Sequence, residues 1–218
     1  MSELQLLPVH TRILTESDDI VEAILQYAGQ DIGPEDIVCV AESVVAITQG
    51  AVTRPEELRP SWQARLINRF IDKEGSMASI YGMQAAMELE GRWKVLWAFI
   101  CGAFAKVFLR KAGVFYAMAR QASLADDVTG TMPPYDKHIV YGPQKPDKVA
   151  EKIAQRTAAY GAVVADVNDL KRAAILGKSK GMKPKEIAKI LIDNPFGNDS
   201  QMTPIVIIKN YASVSRGK

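Results

Sequence analysis

The chain has 218 residues, 48% of them hydrophobic and 24% charged, with 27 basic and 25 acidic side chains and a formal net charge of +2. A chain of this length buries about 70% of the surface its unfolded form exposes, so it can build a core without disulfide or metal staples. The near balance of charge excludes a dedicated nucleic-acid surface, which needs a clustered basic excess.

Leu4 to Val9 reads as a first strand. Ser17-Asp18-Asp19 offers a helix cap and an acidic first turn, Ile20, Val21, Ile24 and Leu25 follow at helical spacing, and Gly29 is a stop signal. Asp36 to Ala46, rich in Val and Ile, reads as a strand that Gln49-Gly50 punctuates and Ala51 to Thr53 resumes. Pro55 and Pro60 mark a connection. Ser61 is placed to cap a helix with Leu66, Ile67, Phe70 and Ile71 on one face, ended by Gly75, and Met77 to Leu89 reads as a further helix.

Trp93 to Leu109 is strongly apolar, but Lys94 and Lys106 interrupt it. Its uncharged run, Val95 to Ala105, falls short of the roughly 20 residues a membrane span needs. The expectation is a helix that is buried or packs against a second subunit. A membrane-surface helix is the alternative, with Trp93, Trp97, Arg110 and Lys111 as interfacial anchors.

From Ser123 to Pro143 the sequence is dense in Asp, Thr, Gly and Pro, long for a simple connection, and His138 to Tyr141 reads as a strand near its end. Pro146 opens a helix through Tyr160. Gly161 to Val167 is a buried strand, Asn168-Asp169 a turn, and Ala173 to Leu176 its paired strand. Lys183-Pro184 opens a helix through Ile192, Asn194 to Thr203 is a polar loop, and Pro204 to Ile208 is a last strand. Strands and helices mix without strict alternation, which favours an α+β arrangement with mixed and antiparallel sheets. A single domain over residues 1–218 is expected, with a possible sub-division near residue 120.

Cys39 and Cys101 sit in apolar runs without a partner at metal-ligand spacing, as buried reduced thiols do. The N-terminal MSELQLLPVH lacks the basic and then apolar pattern of a secretory signal, so a cytoplasmic protein is expected.

Three polar loops adjoin apolar strands: Asp126 with Asp127; Asp166, Asn168 and Asp169; and Asn198, Asp199, Ser200 and Gln201. Brought together they would form an oxygen-rich cluster suited to Mg²⁺ or Mn²⁺, ions usually shared with substrate phosphates. Asp166, at the end of GAVVA, is the most telling, since a carboxylate there is costly without a partner. A capping or turn role is the alternative for each of these acids. Gly197-Asn198-Asp199 could offer backbone N–H groups to a phosphate. Walker, GxGxxG, HExxH and nucleophile-elbow motifs are absent from the sequence. His138, near Asp136, could serve as a base or as a hydrogen-bonded structural residue. No catalytic residue is assigned.

TRILTESDDIVEAI, GPEDIVCVAESVVAITQGAV, DDVTG, GAVVADVNDLKR and NPFGNDSQMTPIVII, taken in order from about Leu4 to Ile208, resemble the GTP-dependent coenzyme F-420-0 gamma-glutamyl ligases. The resemblance implies an unusual α+β fold in an intertwined homodimer, with the active site near the subunit interface. It implies GTP and two divalent cations, Mg²⁺ or Mn²⁺. The terminal phosphate would activate a small-molecule carboxylate as an acyl phosphate, which the glutamate amine then attacks.

Position by position, Thr11, Arg12, Ile13 and Leu14 resemble the early nucleotide-contacting segment, and Glu42 and Ser43 the next. Asn198 to Thr203, with Gly197 before it and Asp199, Ser200 and Gln201 within it, resembles the late nucleotide loop. Asp166 matches the strand-end metal aspartate, Asn198 stands near a metal-binding side chain, and Asp126 or Asp127 is the candidate for the other metal aspartate. The chain departs from the family's pattern in having Ile47 where a lysine is common, Val167 where a threonine usually follows the strand-end aspartate, Arg110-Lys111-Ala112-Gly113 for an Arg-His-Gly-Phe stretch, and Ala122 in the usual aspartate register. Those departures motivate an alternative function, a non-catalytic relative that binds a small ligand or partner.

Overall fold

The computed structural model describes residues 4–70, 79–110, 113–118, 133–198 and 201–216. It divides into two compact units, residues 1–50 with 143–218, and residues 51–142.

The first unit is built on a five-stranded mixed sheet in the order β1-β7-β2-β5-β6, from β1 (Gln5–Val9), β2 (Ile37–Ala41), β5 (Gly161–Asn168), β6 (Arg172–Lys178) and β7 (Ile205–Lys209). Only β2 and β5 run parallel; every other neighbouring pair is antiparallel. The strands are apolar at consecutive positions because both faces of the sheet are covered. Successive residues serve opposite faces, as a strand's period of two requires. Val38, Val40, Val164, Ile205 and Ile207 join one core with Ile24 of α1 (Ile20–Ala28) and Ile153 of α7 (Pro146–Thr157). Ile37, Cys39, Val163, Val206 and Ile208 join the other with Ile187 of α8 (Pro184–Ile190) and Tyr211 of α9 (Tyr211–Arg216). Buried on all sides, the Cys39 thiol has its pKa pushed up, which leaves it inert.

Local signals account for several boundaries. The Asp19 carboxylate accepts from the N–H groups of Val21 and Glu22 and so caps α1. Ala158, at φ +53, takes the left-handed conformation and ends α7 at Thr157, before the expected Tyr160. The turn between β5 and β6 is closed by Asn168 Oδ1, which accepts from Leu170 N and Arg172 N at 3.0 and 3.3 Å. Asp36, buried at 2% exposure, accepts from Lys209 Nζ at 2.6 Å, Gly33 N at 2.7 Å and Asn210 N at 2.8 Å, which ties the end of β7 to the turn before β2. Burial alone would raise this carboxylate's pKa, but Lys209 and the two backbone donors outweigh it and hold the pKa below the ordinary value. At the side of β6, Asp147 and Glu151 of α7 accept from the backbone N–H groups of Lys178 and Lys180, both at 2.9 Å. A Cβ on Gly177 would stand 2.3 Å from the Pro146 carbonyl carbon, so only glycine allows this approach of α7.

The second unit pairs two short strands, β3 (Val52–Thr53) and β4 (Ile139–Val140), and carries α3 (Trp62–Asn68), α4 (Ile80–Glu90), α5 (Arg92–Phe108) and α6 (Val114–Met118). Ser61 caps α3, as its sequence position predicts, by accepting from Ala64 N. Its core consists largely of small and flexible residues: Ala64, Ile67, Met83, Ala86, Met87, Val95 and Ala98.

Three expectations are corrected. Asp36 to Ala46 is not one strand: β2 stops at Ala41, and Glu42–Thr48 forms helix α2, which buries Val45, Ala46 and Ile47. The buried face of α3 is Gln63, Ala64 and Ile67, with Leu66 and Phe70 exposed; Ile71, Gly75 and Met77 lie outside the described residues. Cys101 is partly exposed rather than buried. Helix α5 buries its small residues, Val95, Ala98, Gly102 and Ala105, and turns its bulky apolar side outward. Among the described residues no helix is long and apolar enough to cross a membrane.

Candidate functional site

The strand order brings four separate segments to one edge of the five-stranded sheet. Val9, near the end of β1, and Val40, near the end of β2, both pair with Ile205 at the start of β7. Ala41, the last residue of β2, pairs with Ala165, directly before Asp166 on β5. The zipper continues past the strands, since Thr11 N donates to Met202 O and Ala41 N to Pro204 O, both at 2.9 Å. Thr11 to Leu14, Glu42 with Ser43, Asp166, and the loop ending at Pro204 therefore share this edge. It includes the carboxyl ends of the parallel neighbours β2 and β5, where open sheets with helices on both faces present their ligand sites.

Within the first segment the roles divide. Thr11 is buried, and its hydroxyl donates to Arg12 O at 2.8 Å; Leu14 belongs to the core. Arg12 and Ile13 are exposed. The Arg12 guanidinium holds Asp18 with both terminal nitrogens, Nη1 to Oδ2 at 3.0 Å and Nη2 to Oδ1 at 2.5 Å, and Nη1 also donates to Ile13 O at 2.8 Å. This pair, with Thr15 N–H donating to Asp18 at 2.8 Å, lowers the Asp18 pKa from 3.8 to about 2 and raises that of Arg12. The clamp fixes the turn between β1 and α1. From sequence, Asp18 reads as part of a helix cap, and six residues separate it from Arg12, a spacing with no local structural meaning.

Glu42 and Ser43 open α2 and are both partly exposed. Asp166 is exposed on β5, two residues before the strand ends and paired with Ala174 of β6, and protein packed around it raises its carboxylate pKa. Among the described residues no cation and no hydrogen-bond donor reaches that carboxylate. Its loop companions are engaged elsewhere: Asn168 closes the hairpin, and Asp169 accepts from Asn194 Nδ2 at 2.7 Å.

The late loop is held by its own backbone. Asn194 and Met202 adopt positive φ, 52° and 48°, and Gly197 stands at φ +70. Asn194 Nδ2 donates to Gly197 O at 3.2 Å, Thr203 Oγ1 to Phe196 O at 2.5 Å, and Gln201 N to Asn198 O at 2.8 Å. A Cβ on Gly197 would overlap the Gln201 carboxamide, so the loop requires glycine there. Asn198 and Gln201 are exposed on it. The organising part of Asn194 escapes sequence reading, although an Asn before Pro, tolerant of left-handed backbone, is a signal for it.

Asp126, Asp127, Asp199 and Ser200 lie outside the described residues, as do Ala122, Lys111 and Ala112. Among the described residues no group of three or more His, Cys, Asp or Glu comes together as a metal cage. The oxygen donors at the edge include the Asp166 and Glu42 carboxylates, the Ser43 hydroxyl and the Asn198 amide, hard donors of the kind that suit Mg²⁺ or Mn²⁺ rather than a softer metal. Ile47 is buried on α2 and Val167 packs into the second core, so neither points a polar group at the edge. In the other unit, His138 Nε2 accepts from Arg54 Nε at 3.3 Å and its ring packs against Tyr135. That nitrogen is engaged, while Nδ1 is buried with no hydrogen-bond partner among the described residues.

The sequence matches the family model for F420-0:Gamma-glutamyl ligase over residues 8–167, from the end of β1 to the end of β5. No curated protein matches the chain.

Proposed function

The chain belongs to the F420-0:gamma-glutamyl ligase family, and from that premise we propose that it is a nucleotide- and divalent-metal-dependent ligase that joins glutamate to a small-molecule carboxylate through an acyl phosphate. One observation carries the reading. Four segments distant in sequence meet at one sheet edge in register, and they end on a carboxylate, Asp166, that is raised in pKa and has no partner among the described residues. Three strand spacings separate β1 from β5, about 14 Å. An edge of that length suits an extended nucleotide, bound at one end by the backbone of Thr11 to Leu14 and at the other by Asp166.

Asp166 and Asn198 would hold the cation. When bound, it supplies neutralisation of phosphate charge and orients the in-line displacement. Gly197 to Gln201, with Glu42 and Ser43, would position the triphosphate. The γ-phosphoryl group passes from GTP to a carboxylate oxygen of the substrate and GDP leaves. The glutamate nitrogen then attacks the acyl carbon, the C–O bond to phosphate breaks, and the nitrogen gives up its proton as the amide forms. Asp126 and Asp127, outside the described residues, carry no weight in this reading. A homodimer acting in the cytoplasm is part of the same proposal.

Calorimetric titration with GTP, with and without Mn²⁺, tests it. The expected result is metal-dependent binding that Asp166→Ala abolishes while the fold persists; no binding at millimolar nucleotide sinks the ligase. Buried Ile47, in place of the family's common lysine, favours a second reading, a non-catalytic small-ligand or partner binder. Metal affinity unchanged in Asp166→Ala would favour that one.

A further inference from the structure

The ligase chemistry makes no use of helix α5. Its buried side is lined by Val95, Ala98, Gly102 and Ala105. On the other side Trp93, Trp97, Ile100, Phe104 and Val107 recur at intervals of four and three, which aligns them in one stripe about 21 Å long. All five are exposed, Trp93 at 65%, Trp97 at 61% and Val107 at 71%. Just past α3, Phe70, 70% exposed, meets Phe99 of α5 with ring centroids 6.0 Å apart. A contiguous patch of this kind on a soluble chain marks an interaction surface.

The charges identify what covers it. Arg92 and Lys94 stand at the start of α5, Lys106 in its last turn and Arg110 just beyond its end, all exposed, and α5 contains no carboxylate. The acid next to the helix, Glu90, pairs with Lys94. Two copies laid together along this helix, parallel or antiparallel, would bring cations against cations with no acid in either helix to answer them. A flat anionic surface answers both features at once, taking the rings at the interface and the flanking cations at the phosphates. Tryptophan is the side chain that most favours that depth.

We propose that the second unit docks on the surface of a membrane containing anionic lipid, with α5 lying in the interfacial plane, the Trp93-to-Val107 stripe against the acyl boundary and its cations on the head groups.

The test is co-sedimentation of the full chain with phosphatidylcholine vesicles, with and without phosphatidylglycerol, read together with tryptophan emission. All three tryptophans, Trp62, Trp93 and Trp97, are exposed in this unit, so the signal reports on this surface. The expected result is binding only to the anionic vesicles, a blue shift on binding and weakening by salt. Phe104→Glu should weaken it at least about tenfold, and the Arg92→Gln/Lys94→Gln pair, whose cations flank the stripe on either side, by about tenfold as well. Three results would overturn the proposal: no binding to either vesicle, equal binding to the neutral ones, or Phe104→Glu and the double variant both binding as the parent does. Light scattering supplies a fourth. A dimer that Phe104→Glu converts to a monomer assigns the stripe to a second copy instead. Nucleotide is not needed in any arm, so the outcome is independent of the ligase reading.

Discussion

The two units differ most in what they leave exposed. The sheet unit hides most of its large side chains, with Ile24, Ile37, Ile153, Ile187, Ile205 and Ile207 all below 2% exposure, and its exposed large apolar residues, Ile13, Tyr160 and Leu170, are scattered along the sequence. The helical unit packs alanine, glycine and methionine inside and leaves Trp62, Phe70, Trp93, Trp97, Phe104 and Phe108 more than half exposed. A sheet covered on both faces completes its core from its own chain. A helical unit that turns its rings outward is finished by something it meets. Burial, not hydrophobicity, therefore separates residues that hold this fold from residues that serve its surroundings.

Substitutions can break that contrast. Ile207→Ala should cost about 2–5 kcal/mol in urea unfolding, since it opens a cavity between β7 and its neighbours. Asp36→Ala should cost about 3 kcal/mol, because it strands Lys209 and two backbone donors at a buried site. Both carboxylates held by cations, Asp36 and Asp18, have folded pKa values below the unfolded ones, so their stabilisation is complete above the ordinary value of 3.8 and is lost as the pH falls; for Asp18 that loss runs down to about 2. Acid titration of the parent should show a decline in this window that Asp18→Asn reduces. Gly197→Ala should cost about 1–2 kcal/mol through its left-handed backbone and weaken nucleotide binding more than it affects the melt. Trp93→Ala should cost less than about 0.5 kcal/mol despite the size of the deletion; a loss equal to that of Ile207→Ala would mean the stripe is covered within the chain. The smallest effect has the opposite sign. Asp166 has a raised folded pKa, so its contribution favours folding at low pH and declines as the pH rises. Asp166→Asn should therefore melt slightly higher than the parent at pH 8, though not at pH 4, while cation-induced stabilisation disappears.

Local chemistry made much of this legible beforehand. The Asp19 cap, the Ser61 cap, the β5–β6 hairpin with its Asn168 turn, and the apolar Ile205-to-Ile208 run of β7 each follow from residues within a few positions of one another. The split of Asp36 to Ala46 into strand and helix did not. Val44 and Val45 favour a strand, α2 has no side-chain cap, and seven residues are too few for the period to declare itself. Helix α9 was missed for a related reason: it is placed by Asp36 accepting from Asn210 N and by Ala212 N donating to Glu35 O, partners about 175 residues away. The candidate residues were readable one at a time; their meeting depends on β7 inserting between β1 and β2, a pairing with no local signature. The Arg12–Asp18 clamp was hidden because charge pairs across a turn follow no period.

The carboxylates of Asp147 and Glu151 engage backbone donors beside and just past β6 that an incoming strand would otherwise use. The carboxyl end of this edge strand is thereby closed to β-augmentation, including by another copy of the same chain.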